Sequence, residues 1–296
     1  MKKEKFDFLS WLVFVVLAII WGSSFMLMKK SLVVFSNIQL ATLRISIAGL
    51  VFLPVLYFNF KKLPITKIKY AALVGVVGSF LPALCFSTAQ QHLDSFVAGI
   101  LNSLTPFFTV LCAVVFFKEN IKINKIIGVA IGFCGALIMA TNRGGAAAIS
   151  SINSYALLTI VATFFYGLNA NFVKHYTNNI APYTLNAFAL GIMMAPCLLI
   201  LNFTDFLVVM QTNPDAGRAL MYVAILGVLG TGVAGYLYFW LIQRRGVIFG
   251  VMVTYIMPII ALFWGVLDNE SIHSSHIISF AIIVLGVYIV NRNNEC

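Results

Sequence analysis

The chain has 296 residues, of which 61% are hydrophobic and 9% charged, and its formal net charge is +10. A soluble domain carries about 25% charged residues, so this composition cannot cover a water-facing surface and puts the chain in a membrane. The basic residues lie between apolar runs rather than on one face, which argues against nucleic-acid binding, and the five cysteines show no Cys-x-x-Cys or Cys/His spacing for a metal or a disulfide framework.

A bilayer core of about 30 Å needs about 20 apolar residues per helix. Ten runs qualify, over 9–28, 38–58, 70–89, 95–117, 123–141, 153–173, 182–201, 219–241, 247–267 and 275–291. The first is too long for a signal-peptide core and reads as the first span. The longest loop, Asn202 to Arg218, leaves little for a soluble domain. With the N-terminus inside, the inner segments hold Lys2, Lys3, Lys5, Lys61, Lys62, Lys67, Lys69, Lys118, Lys122, Lys125, Lys174, Arg244, Arg245 and Arg292. The outer ones hold only Lys29, Lys30, Arg143 and Arg218. The positive-inside rule then predicts both termini in the cytoplasm.

The chain repeats itself. Trp21-Gly22 matches Tyr166-Gly167 and Lys29 matches Lys174 at an offset of 145; Gly49 and Pro54 match Gly191 and Pro196 at 142. Gly75, Gly78 and Pro106 match Gly227, Gly230 and Pro258 at 152, while Glu119 and Gly135 match Glu270 and Gly286 at 151. The expected fold is an all-α integral membrane protein of ten transmembrane helices, built as a five-helix repeat over 1–143 and a second over 144–296. Five is odd, so the second repeat enters the membrane upside down, the architecture that lets two halves rock around a midplane site.

Trp21-Gly22-Ser23-Ser24-Phe25 resembles the opening signature of EamA-type transporters in the drug/metabolite transporter superfamily. Pro106, Glu119, Gly128 and Gly135 resemble that family's signature across spans four and five; the second copy keeps Pro258, Glu270 and Gly286 but has Ser279 where glycine is expected. Arg44 stands where the family often has arginine, without the proline shortly before it. The resemblance implies a ten-helix carrier of small organic solutes, often an exporter of amino acids or other metabolites. It also implies a central cavity lined by spans 1, 3, 4, 6, 8 and 9.

Polar groups within the hydrocarbon are costly, so each asks for a reason. Ser23 and Ser24 after Gly22 suit close helix packing or ligand contact. Asn102, Ser103, Thr105 and Pro106 form the densest mid-span cluster, with Thr254, Tyr255 and Pro258 as counterparts; they read as cavity lining or as a kink satisfied by neighbouring helices. Span three adds Ser79, Ser87 and Thr88, and span eight adds Thr231, Tyr236 and Tyr238. Tyr166 and Asn169, three residues apart, can share a face and suit either an amino or carboxylate group or an interhelical bond. Arg44 is the one charge inside a span; it suits an anion or, by preference, helix-end carbonyls. Gly22, Arg44, Pro106 and Pro258 are thus read as structural or gating positions, and Lys29 and Lys174 as interfacial anchors.

The acidic residues all fall in loops, tails or span ends, which predicts transport without a buried-carboxylate proton relay. Coupling through His92 with Asp94 is an alternative, and Glu119 and Glu270 are expected to tie their turns to Lys122 or backbone donors. No nucleotide-binding loop, catalytic cluster or cofactor motif is present. The expected partners are a small-molecule substrate and membrane lipid. A multidrug or lipophilic-cation exporter, a lipid-modifying membrane enzyme and a channel are the rival readings; they lack, in turn, a buried acid, an interfacial polar cluster and a repeated filter.

Overall fold

A computed structural model of the chain describes residues 7–93, 95–142, 154–267, 278, 281–282 and 284–289. Asp94, Glu270 and Ser279 lie outside them. Among the described residues the secondary structure is helical throughout. The elements are α1 (Phe8–Leu32), α2 (Asn37–Asn59), α3 (Ile65–Gly75), α4 (Leu81–Gln90), α5 (Ser95–Asn102), α6 (Thr105–Val115) and α7 (Ile123–Asn142). They continue with α8 (Ser154–Tyr176), α9 (Pro182–Asn202), α10 (Phe206–Thr212), α11 (Ala216–Ile225), α12 (Ala234–Arg245), α13 (Val247–Val251) and α14 (Val253–Leu267). Among the described residues, seven continuous segments are long and apolar enough to cross a membrane; Ile123–Gly135 and Val247–Ala261 are shorter apolar helices. These match the first nine expected runs in position, and most of the tenth lies outside the described residues.

Local chemistry sets the helix ends. Ser36 and Gln39 make a reciprocal capping box at the start of α2. Asp7 caps α1 through Ser10 and also accepts from Arg244 Nε at 2.7 Å, tying the start of α1 to the end of α12. Gly246 ends α12 at φ 89°, a left-handed conformation that costs glycine nothing. Lipid-facing positions such as Val15, Leu50, Val115 and Leu199 are exposed, while the interior is filled by Leu17, Leu40, Ile45 and Leu185.

Two π-helical stretches interrupt the long helices, Val76–Phe80 between α3 and α4 and Leu226–Val233 between α11 and α12. A π stretch releases backbone carbonyls from the usual ladder. In the second stretch the carbonyls of Gly230 and Gly232 accept instead from Trp21 Nε1 and Asn186 Nδ2, each at 2.9 Å. Proline does the same elsewhere. Pro106 leaves the Asn102 carbonyl without its helical donor, and Thr105 Oγ1 donates to it at 2.8 Å. Pro258 lies within α14 and frees the Thr254 carbonyl, which faces Ser103 Oγ at 3.4 Å.

The main helix pairings cross between the two parts of the chain. α2 packs on α9, α1 on α14 and on α11–α12, and α8 on α4 and α6. α2 also packs on the second π stretch, and α3 packs on α9. One group therefore comprises α3–α6 with α8, a second comprises α1 with α11–α14, and the α2–α9 pair touches both.

Individual contacts recur with the two parts exchanged. A side-chain atom added at Gly75 would sit 2.5 Å from the Ala189 carbonyl, and one at Gly227 2.9 Å from Ile47. Offsets of 152 and 142 turn the first pair into the second. Gly78 lies against Asn169 and Gly230 against Ser24; Gly22 lies against Ile260 and Gly167 against Phe108. The Phe86–Tyr166 ring pair, 5.9 Å between centroids, corresponds to Tyr238–Trp21 at 5.2 Å. Each pair maps onto the other through the offsets of 145 and 152. Reciprocal contacts of this kind are what a twofold relation between the two parts would produce.

Candidate functional site

Between the two helix groups lies a cavity of about 110 Å³, room for several waters. α1 contributes Trp21, Ser24, Phe25 and Met28. The first π stretch and α4 contribute Gly78, Ser79 and Phe86; α5, α6 and α8 contribute Asn102, Thr105, Tyr166 and Asn169. Opposite stand Thr231, Tyr238 and Phe239, then Thr254 and Met257 from α14. α2 and α9 add Arg44 and Asn186.

Most of the expected residues meet here: Ser24, Ser79, Asn102, Thr105, Tyr166, Asn169, Thr231 and Thr254 all line the cavity, and so does Arg44. Others are placed elsewhere, for reasons of helix geometry. Ser23 precedes Ser24, about 100° away around the helix; it faces α14 and accepts from Trp264 Nε1 at 2.8 Å. Tyr236 is two residues from Tyr238, which puts it on the far side of α12, so Tyr238 is the phenol that lines the cavity. Tyr255 is fully buried, and its hydroxyl donates to the Val129 carbonyl at 2.7 Å. Gly22 is a close-packing position against Ile260. Pro106 and Pro258 act through the carbonyls they release rather than by lining the space.

Asn186 escaped the sequence reading. The offset of 142 that pairs Gly49 with Gly191 also pairs Arg44 with Asn186, and that signal points to it. Spans two and seven, absent from the lining expected by resemblance, hold these two residues.

The polar groups of the cavity are partly engaged. Arg44 Nε donates to Thr231 Oγ1 at 3.0 Å, and Thr231 Oγ1 donates to the Leu226 carbonyl at 3.2 Å. Asn102 Nδ2 faces Met257 Sδ at 3.5 Å. Asn169 is 3% exposed, and its Oδ1 has no hydrogen-bond partner.

Thr109 is one turn beyond Thr105 on α6 and begins a second pocket of about 320 Å³, at the end of the helices that carries most basic loops. Asn171, Lys174 and the segment Arg245–Phe249 line it from the two helix groups. At its mouth Glu119 pairs with Lys174 and His175 rather than with the expected Lys122. Burial works to raise the Glu119 carboxyl, but these two partners outweigh it and hold it below its usual value. Lys174, expected as an interfacial anchor, is bound into a cluster at the helix end. At the opposite end, Gln90 Nε2 and Ser95 Oγ both donate to the Phe25 carbonyl, at 3.3 and 3.2 Å, and hold the two helix groups together.

Comparison with known proteins gives the family and the fold. An uncharacterized transporter of Archaeoglobus fulgidus is 25% identical over 296 residues, covering 95% of this chain and 98% of its own length. The uncharacterized inner membrane transporter YedA of Escherichia coli is 24% identical, covering 93% and 88%. A solved structure described only as "Crystal structure of protein" superposes with a TM-score of 0.71 over 97% of this chain and 99% of that one; at 18% identity the likeness is one of fold. The model of the EamA-like transporter family matches residues 9–141 and again 153–292. With two copies of that model spanning nearly its whole length, the chain belongs to the EamA-like transporter family.

Proposed function

We propose that this chain is a secondary transporter that moves small organic metabolites, amino acids or related solutes, outward across the cytoplasmic membrane. It works by alternating access of two inverted five-helix repeats, ten spans in all, with both termini in the cytoplasm. The cavity carries this reading: partly engaged polar groups, contributed by both repeats, meet between two helix groups. The reciprocal contacts support it, because a twofold relation gives each motion at one end a counterpart at the other. Closure at Phe25, Gln90 and Ser95 alongside the pocket at the basic end fits a form open toward the cytoplasm. The outward direction rests on the family's habit.

The four described carboxylates, Asp7, Glu119, Asp205 and Asp215, lie at helix ends or in a turn, which supports a reading of transport with no buried acid as proton relay among the described residues. The test is a metabolite screen comparing cells with and without the protein, followed by transport of the hit in proteoliposomes. Expected is saturable movement of a small organic solute, with little uphill accumulation when a pH gradient is imposed. A purified protein that moves no hit overturns the transport reading; strong pH-driven accumulation overturns the uncoupled one.

A further inference from the structure

One full charge lines the central cavity, and nothing described there neutralises it. Arg44 spends its contacts on neutral atoms, Thr231 Oγ1 at 3.0 Å and Met28 Sδ at 3.6 Å. The four described carboxylates are engaged elsewhere: Asp7 with Arg244, Glu119 with Lys174 and His175, Asp205 with Gln39, and Asp215 with Arg218. A guanidinium has five N–H donors and does not lose its proton in proteins. Arg44 is half-buried, and holding a charge within a membrane span without an anion is costly.

Its placement is not explained by helix joining. The equivalent residue, Asn186, ties α9 to the same π stretch through the Gly232 carbonyl at 2.9 Å, with no charge. Nor does Arg44 reach a helix end. It is the eighth residue of α2, about 10 Å from the first, and it faces the cavity. An independent vacancy of opposite sense lies in the same cavity, where buried Asn169 Oδ1 has no donor. A spare set of donors around a positive charge and a spare acceptor complement a solute that carries an anion and an N–H group. Phe25, Phe86, Phe239 and Met257 supply apolar walls for the rest of it.

Resting on the transport reading above, we infer that the solute bears a carboxylate or similarly compact anionic group held by Arg44, and a hydrogen-bond donor received by Asn169 Oδ1. A lipophilic cation without an anionic group is thereby excluded as the substrate.

The test uses the purified full-length protein in nanodiscs with matched probes. These are L-leucine, isoamylamine and 4-methylpentanoate, then L-phenylalanine, phenethylamine and 3-phenylpropanoate. Within each set one probe lacks the carboxylate and one lacks the amine. Binding is followed by the fluorescence of Trp21, against a Trp21→Phe background. Expected is at least tenfold weaker binding of the amines than of the carboxylate-bearing probes. Arg44→Gln should erase that preference, and Arg44→Lys should keep part of it. Asn169→Asp, which adds a carboxylate to the same cavity at constant size, should shift preference toward the amines, a gain that misfolding cannot produce. Equal binding of the amines, a preference that survives Arg44→Gln, or no binding of any carboxylate overturns the inference. Transport of a solute with no anionic group would overturn it and leave the transporter reading standing. Carboxylate binding without transport of any solute would do the reverse.

Discussion

Asn102 and Tyr166 show how single side chains are held for use. The Asn102 carbonyl, released by Pro106, is occupied by Thr105, and the side-chain amide, held only by long contacts to Met257 Sδ at 3.5 Å and Thr105 Oγ1 at 3.4 Å, borders the cavity. The Tyr166 ring is fixed against Phe86, and the residue borders the same space. A hydrogen bond to a solute contributes about 0.5–1.5 kcal/mol. Asn102→Ala and Tyr166→Phe should each lower transport about three- to tenfold while insertion and yield remain normal, measured as uptake per amount of purified protein. Asp7 gives a pH prediction. Arg244, then Ser10, hold its carboxyl down from 3.8 to about 2. A depressed folded pKa contributes stability above pH 3.8 that is lost as pH falls toward about 2. Asp7→Asn should therefore lower the melting temperature slightly at pH 7 and flatten the pH dependence between those limits. At this scale the sequence revealed polarity but not direction. It named Ser23 beside Ser24 and Tyr236 beside Tyr238, because nothing in one sequence says which side of an all-apolar helix meets another helix.

The helices themselves are nearly uniform in hydrophobicity, so their specificity comes from interruptions. These are the two π stretches, the break between α5 and α6, and Pro258 within α14. At the second π stretch and at Pro258, backbone carbonyls accept from other helices: Gly230 from Trp21, Gly232 from Asn186 and Thr254 from Ser103. The interruptions also lie along the cavity, which is where irregular backbone can be tolerated in a membrane. Prolines announced two of these sites in the sequence. The π stretches had no such signal beyond the glycine pairs at Gly75 and Gly78, Gly227 and Gly230, since an extra residue per turn leaves no compositional mark. Close packing is the other element-scale feature. Adding one methyl group at Gly75 brings it onto the Ala189 backbone, and at Gly227 onto the Arg44 carbonyl and Ile47. Backbone cannot yield as a flexible side chain does. Gly75→Ala and Gly227→Ala should each destabilise the protein by about 1–3 kcal/mol, read as loss of unfolding free energy in mixed micelles. Equal stability of either variant with wild type would mean that these helices do not approach as closely as described.

For the molecule as a whole, the repeat was legible because offsets of 145, 142 and 152 recur in order along the chain. Those offsets also predict which contacts are reciprocal, and Gly78 with Asn169 against Gly230 with Ser24 is such a pair. What they could not show is that the repeats interlock. The main pairings, α2 with α9, α1 with α14 and α8 with α4 and α6, join residues from both repeats. In the proposed alternating access, the moving parts are therefore not the two stretches of sequence. They are the group of α3–α6 with α8 and the group of α1 with α11–α14, and the cavity lies between them. The Phe25 carbonyl, joined to Ser95 Oγ at 3.2 Å, bridges these groups at the end that the proposed orientation places outside. A Phe25→Cys, Ser95→Cys variant lacking the five native cysteines, reconstituted and joined by a short reducible thiol cross-linker, tests the motion directly. The account predicts that transport of the screened solute stops on cross-linking and returns on reduction. Transport that continues at the unlinked rate while the link is intact would contradict it.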